Sequence, residues 1–187
     1  PRAGLQCLDC HAPHASANAS LLRMGSHEPV ANGECDACHK GGAKTASKTD
    51  LTEKVPALCF ECHDDMSKAA KRAVPHAPIE DGDCLACHDP HRGTAAGHLL
   101  RARPVELCTS CHDELPNELK KPVVHRAFQE GKCVDCHDAH GSANPALAKT
   151  ADGTMCLKCH EAVKAEIADP KTAHAPAAKL DCLRCHA

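Results

Sequence analysis

His76-Ala77-Pro78-Ile79-Glu80-Asp81-Gly82-Asp83-Cys84-Leu85-Ala86-Cys87-His88-Asp89-Pro90-His91 is the stretch that decides how this chain is built. It contains a Cys-x-x-Cys pair with His directly after it, a second His eight residues ahead of the pair, and a third three residues behind. The pattern returns at a period of 49 residues: Cys35, Cys84, Cys133 and Cys182 keep that spacing, and so do His27, His76, His125 and His174. A fixed period of this length marks a repeat architecture. A further pair-plus-His lies inside each full unit, at Cys59-Cys62-His63, Cys108-Cys111-His112 and Cys156-Cys159-His160, with one residue deleted before the last. The reading is a single domain over 1–187, with full units 27–75, 76–124 and 125–173 between partial units 1–26 and 174–187. No linker interrupts it.

All 16 Cys belong to such pairs. The remaining instances are Cys7-Cys10-His11, Cys35-Cys38-His39, Cys84-Cys87-His88, Cys133-Cys136-His137 and Cys182-Cys185-His186. C-x-x-C-H is the attachment signature of c-type haem. Two thiols at this spacing reach the two vinyl groups on one porphyrin edge, and the adjacent His becomes the proximal ligand of the iron. Paired Cys could instead ligate zinc, but zinc does not require His directly after the second Cys. A thioredoxin-like redox pair needs a strand–helix–strand context that nothing here offers. The expectation is eight covalently bound haem c groups.

Composition agrees. The 187 residues include no Trp, no Tyr and two Phe, Phe60 and Phe128. Aromatic side chains normally carry much of a core's burial, and the 42% apolar fraction rests largely on Ala and Cys. Haem must therefore fill the interior, with the polypeptide as its wrapping. The net charge of −3 gives no sign of nucleic-acid binding, and no apolar run reaches the length of a membrane span. The opening Pro1-Arg2-Ala3-Gly4 shows no signal peptide, and the chain reads as the processed form of an exported protein.

The expected fold is mostly irregular coil with short α-helices wrapped around a haem array, elongated, without significant β-sheet. Helix-compatible stretches follow the inner sites at 64–74, 113–124 and 161–173, with acidic residues in the first turn, basic ones later, and Pro75, Pro122 and Pro170 as limits. Gly41-Gly42 and Gly141-Ser142-Ala143-Asn144-Pro145 read as loops.

Eight of the 16 His stand at proximal positions. The other eight, His14, His27, His76, His91, His98, His125, His140 and His174, equal one distal ligand per iron and point to bis-histidine coordination. Met24, Met66 and Met155 do not recur with the period. His27, His76, His125 and His174 form one set. His14, His91 and His140 form another, three residues after a proximal His. That tether is too short to pass round a porphyrin, so this second set is expected to ligate a haem other than the one beside it. The matching position in the first full unit is Gly42. His98 has no periodic counterpart, Thr49 and Leu147 standing at the matching places, and is expected to compensate for Gly42; otherwise one haem is open or takes its ligand from another chain.

The pairing of LC-x-x-CH with G-x-C-x-x-CH-x-PH, as in LCTSCH and GDCLACHDPH, resembles the doubled CXXCH-motif multihaem cytochromes over essentially the whole chain. That resemblance implies long-range electron transfer, in a family that includes periplasmic carriers and haem subunits of outer-membrane porin–cytochrome conduits; the dense spacing of attachment sites also resembles the extracellular cytochrome filaments, in which subunits stack end to end. The expectation is an electron-transfer protein rather than an enzyme, extracellular or at the cell surface, stacking end to end as a homopolymer and exchanging electrons with other redox proteins. The alternatives are a periplasmic or outer-membrane location with a porin partner, and an octahaem redox enzyme. With sixteen propionates and eight ferric cores added, the net charge becomes roughly −11 oxidised and −19 reduced.

Overall fold

The computed structural model describes residues 8, 11–14, 27–41, 50–93, 98–169 and 171–186. Each outer site, meaning the one that follows a His by eight residues, arises from one run of local signals. His27, His76, His125 and His174 are the N-caps of short helices at Glu28–Asn32, Ala77–Glu80, Arg126–Gln129 and Ala175–Ala178. Pro29, Pro78 and Pro176 stand in the first turn, where a missing N–H removes no helical bond. Gly33, Gly82 and Gly131 then turn left-handed, with φ of 76°, 72° and 72°. The turn lets the N–H groups of Glu34, Asp83 and Lys132 reach back to the carbonyls of Pro29, Pro78 and Ala127. In the last copy Leu180 holds the same conformation at φ 57°, and Asp181 still bonds to Pro176.

The chain passes from that turn straight into the C-x-x-C-H motif. Cys84–Cys87 and Cys133–Cys136 are single α-turns, and Cys35–Ala37 and Cys182–Arg184 are tighter 3-10 turns. In every described motif the His N–H bonds to the carbonyl of the first Cys, from 2.9 Å at His39 and His63 to 3.1 Å at His186. One helical turn thus puts Cys, Cys and His at i, i+3 and i+4, on one face. The inner motifs end the helices Ala57–Phe60 and Pro104–Thr109 and the 3-10 segment Gly153–Lys158.

After the inner sites come helices at Asp64–Ala69, Leu115–Glu118 and Glu161–Glu166. They are shorter than the stretches read from sequence. Isolated helices of this length are marginal, and of the three only Asp64–Ala69 has a buried residue, Ala69. Pro116 also confines the second to a first-turn position. Instead of continuing the first helix, Val74–Pro75 (β1) pairs antiparallel with Gly141–Ser142 (β2), Val74 opposite Ser142 and Pro75 opposite Gly141. This is the one sheet among the described residues, in a fold that is otherwise coil and short helices.

The described residues make almost no core of their own. Among the described residues the buried side chains are Ala69, at 0% exposure, and Ser142, at 5%. No described helix is long and apolar enough to cross a membrane.

Candidate metal centres

Five imidazole pairs stand among the described residues. His27 faces His63 at 6.0 Å between ring centroids, His39 faces His91 at 5.9 Å, His76 faces His112 at 6.2 Å, His88 faces His140 at 6.1 Å, and His125 faces His160 at 6.1 Å. Four pairs are within 19° of parallel, and the last is tilted by 40°. In every pair one ring follows a C-x-x-C motif and the other does not. The register is constant: an inner proximal His meets the His that caps its own unit, and an outer proximal His meets the second His of the next outer motif. His91 therefore lies opposite His39 and not opposite His88 beside it.

The spacing and the chemistry suit a metal held between the rings. With metal–nitrogen bonds of about 2.0 Å and ring nitrogens about 1.1 Å from their centroids, two axial imidazoles stand roughly 6.2 Å apart. The tautomers agree as well. His76 Nδ1 donates to the Ala139 carbonyl at 2.8 Å, His88 Nδ1 to His98 O at 2.9 Å, and His137 Nδ1 to Ala146 O at 2.8 Å. A proton fixed on Nδ1 leaves Nε2 with the lone pair a metal takes, and such outer bonds orient a ligating imidazole and raise its basicity. His98 and Ala146 hold left-handed φ of 51° and 53°, each followed by a second left-handed residue, Leu99 or Leu147. Those turns bring the loop back antiparallel to the proximal His, in the bridges His88↔Leu100 and His137↔Ala148. His39 makes the same bridge, with Leu51.

Burial, and next the His63 ring, lower the pKa of His27, which also bonds to the Pro90 main chain. Burial, and next the His88 ring, lower that of His140. Both shifts favour the neutral imidazole, the form that ligates.

The thiols of successive motifs are neighbours. Burial and then Cys84 push the Cys59 thiol up to about 11, and the two side chains are hydrogen-bonded. Cys108 is raised to about 11 by burial and Cys133 in the same way. Cys156 is raised by burial and then by Cys182, with a weaker effect of Cys136. Cys38 sits beside Cys62, and Cys87 beside Cys111. The motifs from Cys35 to Cys182 thus follow one another in space in the order of the sequence.

Not every expected residue is brought into this scheme. Cys7, Cys10 and Gly42 lie outside the described residues. His14, His98, His137, His174 and His186 face no second imidazole ring among the described residues. His98 contributes its carbonyl to His88. Nor do three or more Cys, His, Asp or Glu side chains converge on one point among the described residues, so the four-ligand cage of structural zinc is not assembled there. The missed features were the register of the ring pairs and the carbonyls on Nδ1. The 49-residue period shows that both His sets repeat, but a period does not say which repeat touches which.

The family model for the doubled CXXCH motif matches residues 1–26, 27–68, 76–117 and 125–165. No curated protein matches the chain.

Proposed function

The chain belongs to the doubled CXXCH motif family, whose motifs bind haem c covalently in multihaem electron-transfer proteins, and from that premise we propose that it is a wire of eight haems, each iron held between two imidazoles. The observation that carries the proposal is the set of five ring pairs at 5.9–6.2 Å. A bound haem supplies a one-electron ferric/ferrous couple. The chain's own residues do the rest. Two imidazoles keep the coordination unchanged between oxidation states, so little reorganises when an electron moves. The Nδ1–H bonds to Ala139, His98 and Ala146 make the ligands more basic, and His in place of Met lowers the potential. Cys pairs on consecutive turns hold successive attachment edges side by side, and tunnelling falls exponentially with edge-to-edge distance.

Electron paramagnetic resonance of the oxidised protein tests this reading. Low-spin ferric signals accounting for the paired sites are expected. Predominantly high-spin iron, with turnover of nitrite or hydroxylamine, would sink it in favour of an octahaem enzyme.

The setting we propose is an extracellular filament of stacked copies. It is favoured by rings that meet no partner ring among the described residues: besides His98 in the middle unit, His14 stands in the first unit and His137, His174 and His186 in the last two. A neighbour's imidazoles there would complete further axial pairs. Electron microscopy of the purified protein should show end-to-end polymers; discrete monomers under all conditions would leave the conduit and carrier readings instead.

A further inference from the structure

The most buried place in the described chain does not surround a C-x-x-C motif. It lies where β1 meets β2. Ala69, Gly141 and Ser142 are all buried there, and a Cβ on Gly141 would stand 2.8 Å from the Ala69 carbonyl. Arg72 closes the contact. Its Nη1 donates both to Asp138 Oδ2 and to the Gly141 carbonyl, across more than a full repeat.

Both distal rings of this region hang from the same five residues. Asp138 Oδ1 accepts the main-chain N–H of His140 at 3.1 Å, and His140 faces His88. The carbonyl of Ala139, the residue between them, accepts Nδ1–H of His76 at 2.8 Å, and His76 faces His112. One peptide therefore orients the distal imidazoles of two different proximal His. These two sites are also neighbours through Cys87 and Cys111.

We propose that Arg72 and Asp138 are positioning residues for two irons at once, fixing through the 138–142 loop both the His140 ring opposite His88 and the His76 ring opposite His112. The loop ties the two ligations together: a shift of the Ala139–His140 peptide moves one ring through its own Cα and re-aims the other through its Nδ1 bond. Arg72 sets where that peptide sits. The preceding repeat shows part of the same arrangement, since Asp89 Oδ1 accepts from His91 N–H at 3.0 Å and His27 bonds to the Pro90 main chain.

The inference rests on the bis-imidazole ligation proposed above, and its test separates the two. In the haem-loaded protein, His140→Met and His76→Met should each alter one low-spin signal in the paramagnetic resonance spectrum. Failure of either to do so refutes the ligation itself. With those two signatures in hand, Arg72→Ala should shift both and leave the others in place, and the potentials of the same two haems should move together. Arg72→Lys, which keeps a donor for Asp138, should return both signals toward the native position. Lys68→Ala, which breaks an exposed ion pair with Asp64 on the preceding helix, should shift neither. A change confined to one of the two signals, absent from both, or spread evenly over all haems overturns the shared positioning role.

Discussion

Replacing Gly141 by Ala tests how much of the fold depends on the contact between β1 and β2, where Ala69, Gly141 and Ser142 are buried. Gly141 has φ of 133°, a region that residues with a Cβ enter at a cost of about 1–3 kcal/mol. The new methyl would also stand 2.8 Å from Ala69 O and 3.4 Å from both Pro75 Cα and Val74 O. All three are main-chain atoms with no rotamer to turn away, so overpacking adds about 1–3 kcal/mol. The strand pair can relieve part of that by separating, which forfeits a few hydrogen bonds of about 1 kcal/mol each. The expected cost is about 2–4 kcal/mol, equivalent to a roughly 30- to 700-fold rise in local opening. Amide hydrogen exchange of residues 74–75 and 141–142 reads it directly. Gly33→Ala is the control: its φ of 76° carries backbone strain, but nothing lies within 4 Å of the added carbon. It should cost about 1 kcal/mol, the price of left-handed backbone alone. If Gly141→Ala raised opening no more than Gly33→Ala, the steric argument would be wrong and β1–β2 would not be the clamp described.

Three further outcomes are expected. His91→Ala removes the ring opposite His39 and should convert one haem per chain to a high-spin form that binds one equivalent of carbon monoxide; binding by none would refute that pairing. Eight irons each held between two imidazoles need all 16 His, so His98→Asn, which keeps a carbonyl on His88 and tolerates the left-handed backbone, should lose one low-spin signal; an unchanged number would show that His98 acts through its carbonyl alone. Glu130 is held at about 2 by its hydrogen bonds with Lys132 and then Arg126. A folded-state pKa depressed from 4.5 gives stabilisation present above about pH 4.5 and lost as pH falls toward 2. A carboxyl titration followed by nuclear magnetic resonance should show that midpoint, and Lys132→Ala should raise it.

Sequence by itself determined the attachment chemistry, the repeat and much of the local structure. Cys-x-x-Cys-His can be read without a structure because all three groups lie on one helical turn, so their spacing along the chain is also their spacing in space. The left-handed glycines at 33, 82 and 131 are equally local, and Leu180 shows the turn surviving where the glycine is lost. Lack of aromatic residues foretold a shell without a core of its own. Tertiary structure alone decided which ring faces which. His39 and His91 are separated by more than a repeat, as are Arg72 and Asp138, and nothing in a periodic sequence distinguishes contact with the next unit from contact with the one after. It also decided that the carbonyls of His98, Ala139 and Ala146 orient imidazoles: a carbonyl belongs to every residue and leaves no mark in the side-chain text. The groups that attach haem are adjacent along the chain, whereas the groups that would complete and position its iron are adjacent only once the chain has folded back.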